Sequence, residues 1–255
     1  MWPCSNDGNP CSVLKIFRAC LVVGLATFGC GPGEDPGDRA LSLADLIPLA
    51  RVHVETSEID LGTPEARSQM VFGWGHDEGT KDQRTYVWAL GERSELEVFS
   101  GRPRDVNLRV SGWGLPVKTL PRQEITVSVN GNEVDTVQMS RGPKAGFEVE
   151  VPAEAWRHGS NLLTFAYSYN ERLIDVAPNR KDTRPLAMAW DRAVFDGFEN
   201  AALPSVKSSD GLPLFSLPFN SQIDYFLELV PGSSLVIEDV IPLGGDDQSE
   251  PGRLW

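Results

Sequence analysis

Apolar residues in this chain recur at every second position, and no run with a period of 3.6 lasts long enough to make a long helix. A period of two puts alternate side chains on opposite faces of an extended backbone. Short, half-buried strands are therefore the elements this sequence can form. The pattern is plain over 51–60, 84–90, 96–99, 106–112, 146–151, 161–168 and 186–195. In 106–112, Val106, Leu108 and Val110 fall on one side. Gly, Pro, Asn and Asp separate the segments, as turns require. The sharpest local signal is Asn130-Gly131 between alternating 124–129 and 132–139. Both residues of a two-residue type I′ hairpin need positive φ, which Asn and Gly tolerate. Together these features predict an all-β fold, an antiparallel β-sandwich over residues 49–198. Short helical turns are expected at 45–49 and 152–156.

Two segments flank this domain. Residues 199–220 hold Pro204, Pro213 and Pro218 with little periodicity, and read as a linker. Residues 221–255 hold two more strands joined by Pro231-Gly232 and end in an acidic, Gly-rich stretch. Two strands cannot bury a core alone. They either join the main sandwich or begin a second β-domain that is not complete.

The cysteines bear on both address and chemistry. All four (Cys4, Cys11, Cys20 and Cys30) lie in the first thirty residues. The rest of the chain thus lacks a disulfide framework, a Cys-based zinc or iron–sulfur site and a thiol nucleophile. Lys15 and Arg18 precede an apolar run from Ala19 to Gly29, about the length of a secretory h-region and too short for a spanning helix. Residues 1–29 therefore read as a signal peptide and 30–48 as a flexible tether. Cys30, followed by Gly31, resembles the lipidated cysteine of bacterial lipoproteins, although Thr27 and Phe28 depart from the usual residues before it. That resemblance implies a cell-envelope address: anchored to the outer membrane through lipid alone, or periplasmic or extracellular. Cleavage near Gly29 without lipidation and a buried apolar segment are the rival readings. The net charge of −13 repels phosphate and argues against nucleic acid as a partner.

A second resemblance lies in the sandwich. Val127-Ser-Val-Asn130-Gly131 is followed by Phe147-Glu-Val-Glu-Val-Pro152, then by Gly159-Ser-Asn161-Leu-Leu-Thr-Phe165. This series resembles galactose-binding-like jelly rolls, the β-sandwich modules attached to many glycosidases, esterases and sulfatases. Met70–Gly75, Tyr86–Ala89 and Arg184–Phe195 add a likeness to the accessory domain ahead of secreted bacterial sulfatases. In that family the hydrolase, with its Cys/Ser-x-Pro-x-Arg motif, is a separate domain. The resemblance thus implies an accessory domain, with a polysaccharide or glycan as ligand and a hydrolase domain as partner.

Catalytic chemistry finds little to work with. The sequence has no G-x-S-x-G elbow, H-E-x-x-H, P-loop or G-x-G-x-x-G, and only three histidines. The reading is therefore not an enzyme, with no cofactor beyond a structural calcium. His76, Asp77 and Glu78 are the candidate cation ligands, and oxygen-rich surroundings favour calcium over zinc; a solvated acidic turn is the plainer account. Aromatic rings offer an apolar face to a pyranose while polar neighbours bond its hydroxyls. Trp113, between Gly112 and Gly114, is the first candidate, and Trp156 beside Arg157 and His158 the second; core packing competes for both. Trp74 and Trp88 read as core or rim. The basic stretch holding Arg180 and Arg184 is a candidate for sulfate or carboxylate. The function expected is a non-catalytic envelope lipoprotein module that binds carbohydrate or packs on a partner domain. The alternatives are the N-terminal part of a sulfatase-like hydrolase and a structural lipoprotein without ligand.

Overall fold

A computed structural model describes residues 14–17, 21–24, 42–80, 84–139, 145–177, 179–209, 212–218, 220–227 and 240–242. Cys30, the expected cleavage site, most of the tether and the acidic end lie outside the described residues. The chain divides into two units, Glu55–Asn200 and a smaller one formed by residues on either side of it.

The larger unit is an antiparallel β-sandwich. Its strands are β1 (Glu58–Asp60), β2 (Met70–Phe72), β3 (Trp74–Gly79), β4 (Thr85–Leu90), β5 (Arg93–Ser100), β6 (Val106–Gly114), β7 (Glu124–Val129), β8 (Asn132–Gln138), β9 (Gly146–Val151), β10 (Gly159–Tyr167) and β11 (Leu186–Asp196). One sheet runs β8-β7-β10-β5-β2 and the other β9-β6-β11-β4-β3, with β1 also pairing β11. From β5 to β11 the chain passes repeatedly between the two sheets, which is jelly-roll winding.

Alternation decides the core. Val106, Leu108 and Val110 of β6, Ile125, Val127 and Val129 of β7, and Leu163 and Phe165 of β10 are at most 3% exposed and share one cluster between the sheets. Trp190 is fully buried at its centre, its ring centroid 4.6 Å from Phe165 and 6.0 Å from Phe147. β11 breaks the alternation, since every residue from Leu186 to Trp190 is buried. Met188 and Trp190 face the main core, while Leu186 and Ala189 face a second cluster with Trp88, Leu115 and Leu173. The outer face of the second sheet is therefore covered in part.

Side-chain amides answer backbone groups near the hairpin. Asn130 (φ 53°) and Gly131 (φ 83°) form the two-residue turn that the sequence predicts. Asn161 is 1% exposed; its Nδ2 donates to the carbonyls of Arg157 and Gly159, and its Oδ1 accepts from the Arg157 amide and from Asn130 Nδ2. One buried and one half-buried side-chain amide thus pin the turn to the start of β10.

Two boundaries differ from expectation. The alternating segment 51–60 is split. Arg51–Val54 pairs with Ser221–Tyr225 in the smaller unit, whereas Glu58–Asp60 pairs with β11. Glu55, 1% exposed, interrupts the strand: its carboxylate accepts from the amides of Gly101 and Glu199 and from Arg104. A buried carboxylate needs such partners, and they pull the chain out of line at that point. The expected linker at 199–220 instead contains a hairpin, Ser205–Ser209 with Leu212–Leu217.

In the smaller unit, Leu217, Ile223 and Tyr225 are buried, packed with Leu43, Leu46, Ile47 and Val52. Leu14–Phe17 pairs with Ser221–Tyr225, and Leu21–Gly24 with Leu212–Leu217.

Candidate functional site

Strand parity places the candidate ring. On β6 the inward positions are Val106, Leu108, Val110 and Gly112, so Trp113 falls on the outward set, packed against the outer cluster. Gly112 lets the strand lie against β11: a Cβ there would stand 2.4 Å from the Ala189 carbonyl oxygen. Tyr86, on the outward parity of β4, sits beside Trp113 with centroids 5.0 Å apart and planes tilted by 59°. Offset or tilted aromatic pairs of this kind are favourable.

The chain leaving β6 builds the opposite wall. Leu115 is anchored in the outer cluster, and Pro116 and Pro121 fix two backbone φ angles in the segment that follows. Gln123, 2% exposed, then holds Tyr169: its Nε2 donates to the Tyr169 and Ala187 carbonyls and its Oε1 accepts from Ser168 Oγ. The Tyr169 hydroxyl donates to the Pro121 carbonyl.

These parts enclose an open groove of about 780 Å³, a volume typical of small-ligand clefts. Trp113, Tyr86 and Tyr169 line it, with Leu115, Val117 and Met139 as apolar floor. Arg84, Lys118 and Arg122 are its basic residues, and no Asp or Glu is among its described lining residues. The Arg84 guanidinium lies 5.9 Å from the Trp113 centroid, within reach of a cation–π attraction.

A charged relay behind the groove fixes Tyr86. Its hydroxyl donates to Glu78 Oε2 at 2.8 Å, and Glu78 Oε1 accepts from Arg184 Nη1 at 2.7 Å. Arg184 in turn forks onto Asp182. Burial first, and then the bond to Glu78, pushes the Tyr86 phenol up to about 12, so it stays neutral and donating. The Arg184 hydrogen bonds hold Asp182 below its ordinary range.

The structure separates the other sequence candidates. Trp156 is 4% exposed, T-shaped against Phe198 at 5.1 Å, and offers no face to a ligand. It follows the helical turn Ala153–Ala155, whose Ala155 is also buried, and this drives the ring into the core. Arg157 is exposed and its Nε donates to the Ser160 carbonyl. Arg180 is exposed and lies outside the groove lining. Arg184 is committed to Asp182 and Glu78, so it positions an aromatic and does not receive an anion. His76, Asp77 and Glu78 lie on strand β3, not in a turn. Asp77 is paired with Arg67, Glu78 with Arg184, and His76 has a side chain 72% exposed. Among the described residues no three His, Cys, Asp or Glu side chains converge on one metal position.

A second groove, of about 810 Å³, has the carboxylates Asp105, Glu133, Glu150 and Glu154 on its lining and no aromatic ring. Two residue groups of the first groove escaped the sequence reading. Tyr86 was legible from the outward parity of β4. Tyr169, Lys118 and Arg122 lie in irregular backbone, where no periodicity assigns a face.

The chain matches no family model and no curated protein. Its solved structural neighbours share little sequence. An exo-β-1,3-galactanase from Phanerochaete chrysosporium, solved with β-1,3-galactotriose, is 12% identical at a TM-score of 0.35; the match covers 55% of this chain and 29% of that one. A family 35 carbohydrate-binding module from Clostridium thermocellum is 13% identical at a TM-score of 0.35, over 55% of this chain and 98% of that one. A family 36 carbohydrate-binding module in complex with calcium and xylotriose is 10% identical at 0.31, over 55% of this chain and all of the other. At TM-scores of this size neither a family nor a ligand follows for this chain, and the site must speak for itself.

Proposed function

We propose that the sandwich unit is a non-catalytic carbohydrate-binding module whose ligand lies in the Trp113 groove. The observation that carries this reading is a half-buried indole lining an open groove with two further phenol rings. Ring faces match the C–H face of a pyranose, and the rim supplies hydrogen-bond donors from Arg84, Lys118 and Arg122. The site holds its rings by contacts already made within the protein, which lowers the entropy cost of binding.

The test is affinity electrophoresis of the whole chain against a polysaccharide panel. Retardation by at least one polymer is expected, and W113A should weaken it about tenfold or more in protein that is still folded, though with a lower melting transition because the ring also packs on the outer cluster. Absence of retardation by every polymer overturns the reading, as does a W113A protein that is folded and fully retained.

For its address, we infer attachment to the cell envelope through lipid on Cys30. The support is the charged flank, the apolar run and Cys30-Gly31 in the sequence. Labelled palmitate should enter the protein and be lost in C30S. An intact mature protein that still carries residues 14–24 overturns processing at Cys30.

A further inference from the structure

The groove differs in charge from the chain that makes it. The protein has 36 acidic and 23 basic side chains, yet the groove's described lining holds three basic residues and no carboxylate. A neutral sugar needs hydroxyl partners of both kinds, and carboxylates and amides commonly supply the acceptors. Here the charged side chains of the described lining are ammonium and guanidinium groups, which accept nothing, while the Thr80, Tyr86 and Tyr169 hydroxyls and the Gln123 amide are already bonded within the protein.

The three cations are not equivalent. Arg84 lies over Trp113 and close enough to Asp191 to favour that carboxylate's charge, so part of its own charge is already answered. Lys118 and Arg122 are exposed on the groove rim and make no ion pair or side-chain hydrogen bond among the described residues. Glu78, the carboxylate that reaches Tyr86, is held by Arg184 and does not answer the rim. Two rim cations with no carboxylate among the described lining residues, next to an aromatic wall, fit a ring that carries its own negative charge. The rings receive its C–H face, and the cations receive its anionic group.

Building on the carbohydrate reading above, we propose that the groove selects an anionic glycan, with Lys118 and Arg122 receiving a carboxylate or sulfate group on the sugar. Arg122 can take such a group in bidentate fashion, and Lys118 acts as a point charge. The overall charge of −13 opposes approach of a polyanion, so the local pair must prevail at short range, where screening leaves close contacts intact.

The experiment measures the full chain by calorimetry against matched polymers: galactan with polygalacturonate for the carboxylate, and agarose with a sulfated galactan for the sulfate. The acidic member of at least one pair should bind about three- to thirtyfold tighter than its neutral partner, the range that two exposed ion pairs supply. That advantage should vanish in K118Q/R122Q, with the melting temperature unchanged because both side chains are exposed. The preferred pair then names the anionic group. Equal affinity for neutral and acidic members, or an advantage that survives in K118Q/R122Q, overturns the anionic selection and leaves the module reading standing. Binding to none of the polymers, acidic or neutral, overturns both.

Discussion

Trp113 and Trp156 carry similar flanks and have opposite fates. Each lies beside small or polar residues at the edge of an alternating segment. Trp113 lines an open groove, whereas Trp156 is 4% exposed against Phe198. The difference comes from the backbone each ring stands on. Trp113 stands next to last in a nine-residue strand whose inward parity is already taken by Val106, Leu108 and Val110, so it must turn outward. Trp156 follows a single helical turn, where no two-residue rhythm assigns a face and the nearest apolar surface takes the ring.

Truncating each ring separates the two roles. W156A should lose about 3–5 kcal/mol of stability, as large-to-small changes in packed cores do. Its folded fraction should still bind glycan with unchanged affinity. Chemical denaturation followed by affinity electrophoresis on the native fraction checks both. The reverse outcome, binding lost at constant stability, would move the site to Trp156.

The glycines that flank Trp113 give a smaller contrast within the same strand. A Cβ at Gly112 would meet the Ala189 carbonyl oxygen at 2.4 Å, and one at Gly114 would meet nothing within 4 Å. G112A should therefore cost about 1–3 kcal/mol through overpacking and shift the Trp113 ring with its strand. G114A should stay within about 0.5 kcal/mol of the parent. Denaturation midpoints and near-ultraviolet circular dichroism of the two variants read the outcome. Equal effects would mean that β6 does not lie against β11 as described.

The sandwich was legible because its strands obey one rule. Period-two alternation and the Asn130-Gly131 turn locate most of β4 to β11, and Asn161 does what its place beside Gly159 suggests. Legibility failed where contacts distant in sequence decide. The segment 51–60 reads as one strand, but Glu55 is claimed by Gly101, Arg104 and Glu199, and the two halves pair with different partners. The groove was half legible in the same sense. Trp113 stood out by its flanking glycines, and its outward parity on β6 explains its place, but Tyr169 is placed by Gln123 and Lys118 by a proline-bounded connection, neither of which leaves a periodic trace. Arg184 shows the converse error. A basic island in sequence suggested an anion site, and its charge is answered by Asp182 and Glu78.

Acidity gives the smallest expected effect and tests the same contrast. The groove is held by Tyr86, Glu78, Arg184 and Asp182. The fold pushes Tyr86 up to about 12, chiefly by burial, so its contribution is full below an ordinary phenol value of about 10 and fades as pH rises through about 12. Asp182 is held low by Arg184, so its contribution is full above about 3.9 and fades as pH falls below that. Neither group changes charge between pH of about 5 and about 9. Glycan affinity should therefore be flat across that range. An inflection near pH 6 to 7 would bring a histidine into the site. His76, beside Glu78, and His158, two residues past Trp156, are then told apart by H76Q and H158Q. Loss of the inflection in H158Q would put the ligand beside Trp156 and end the assignment to Trp113.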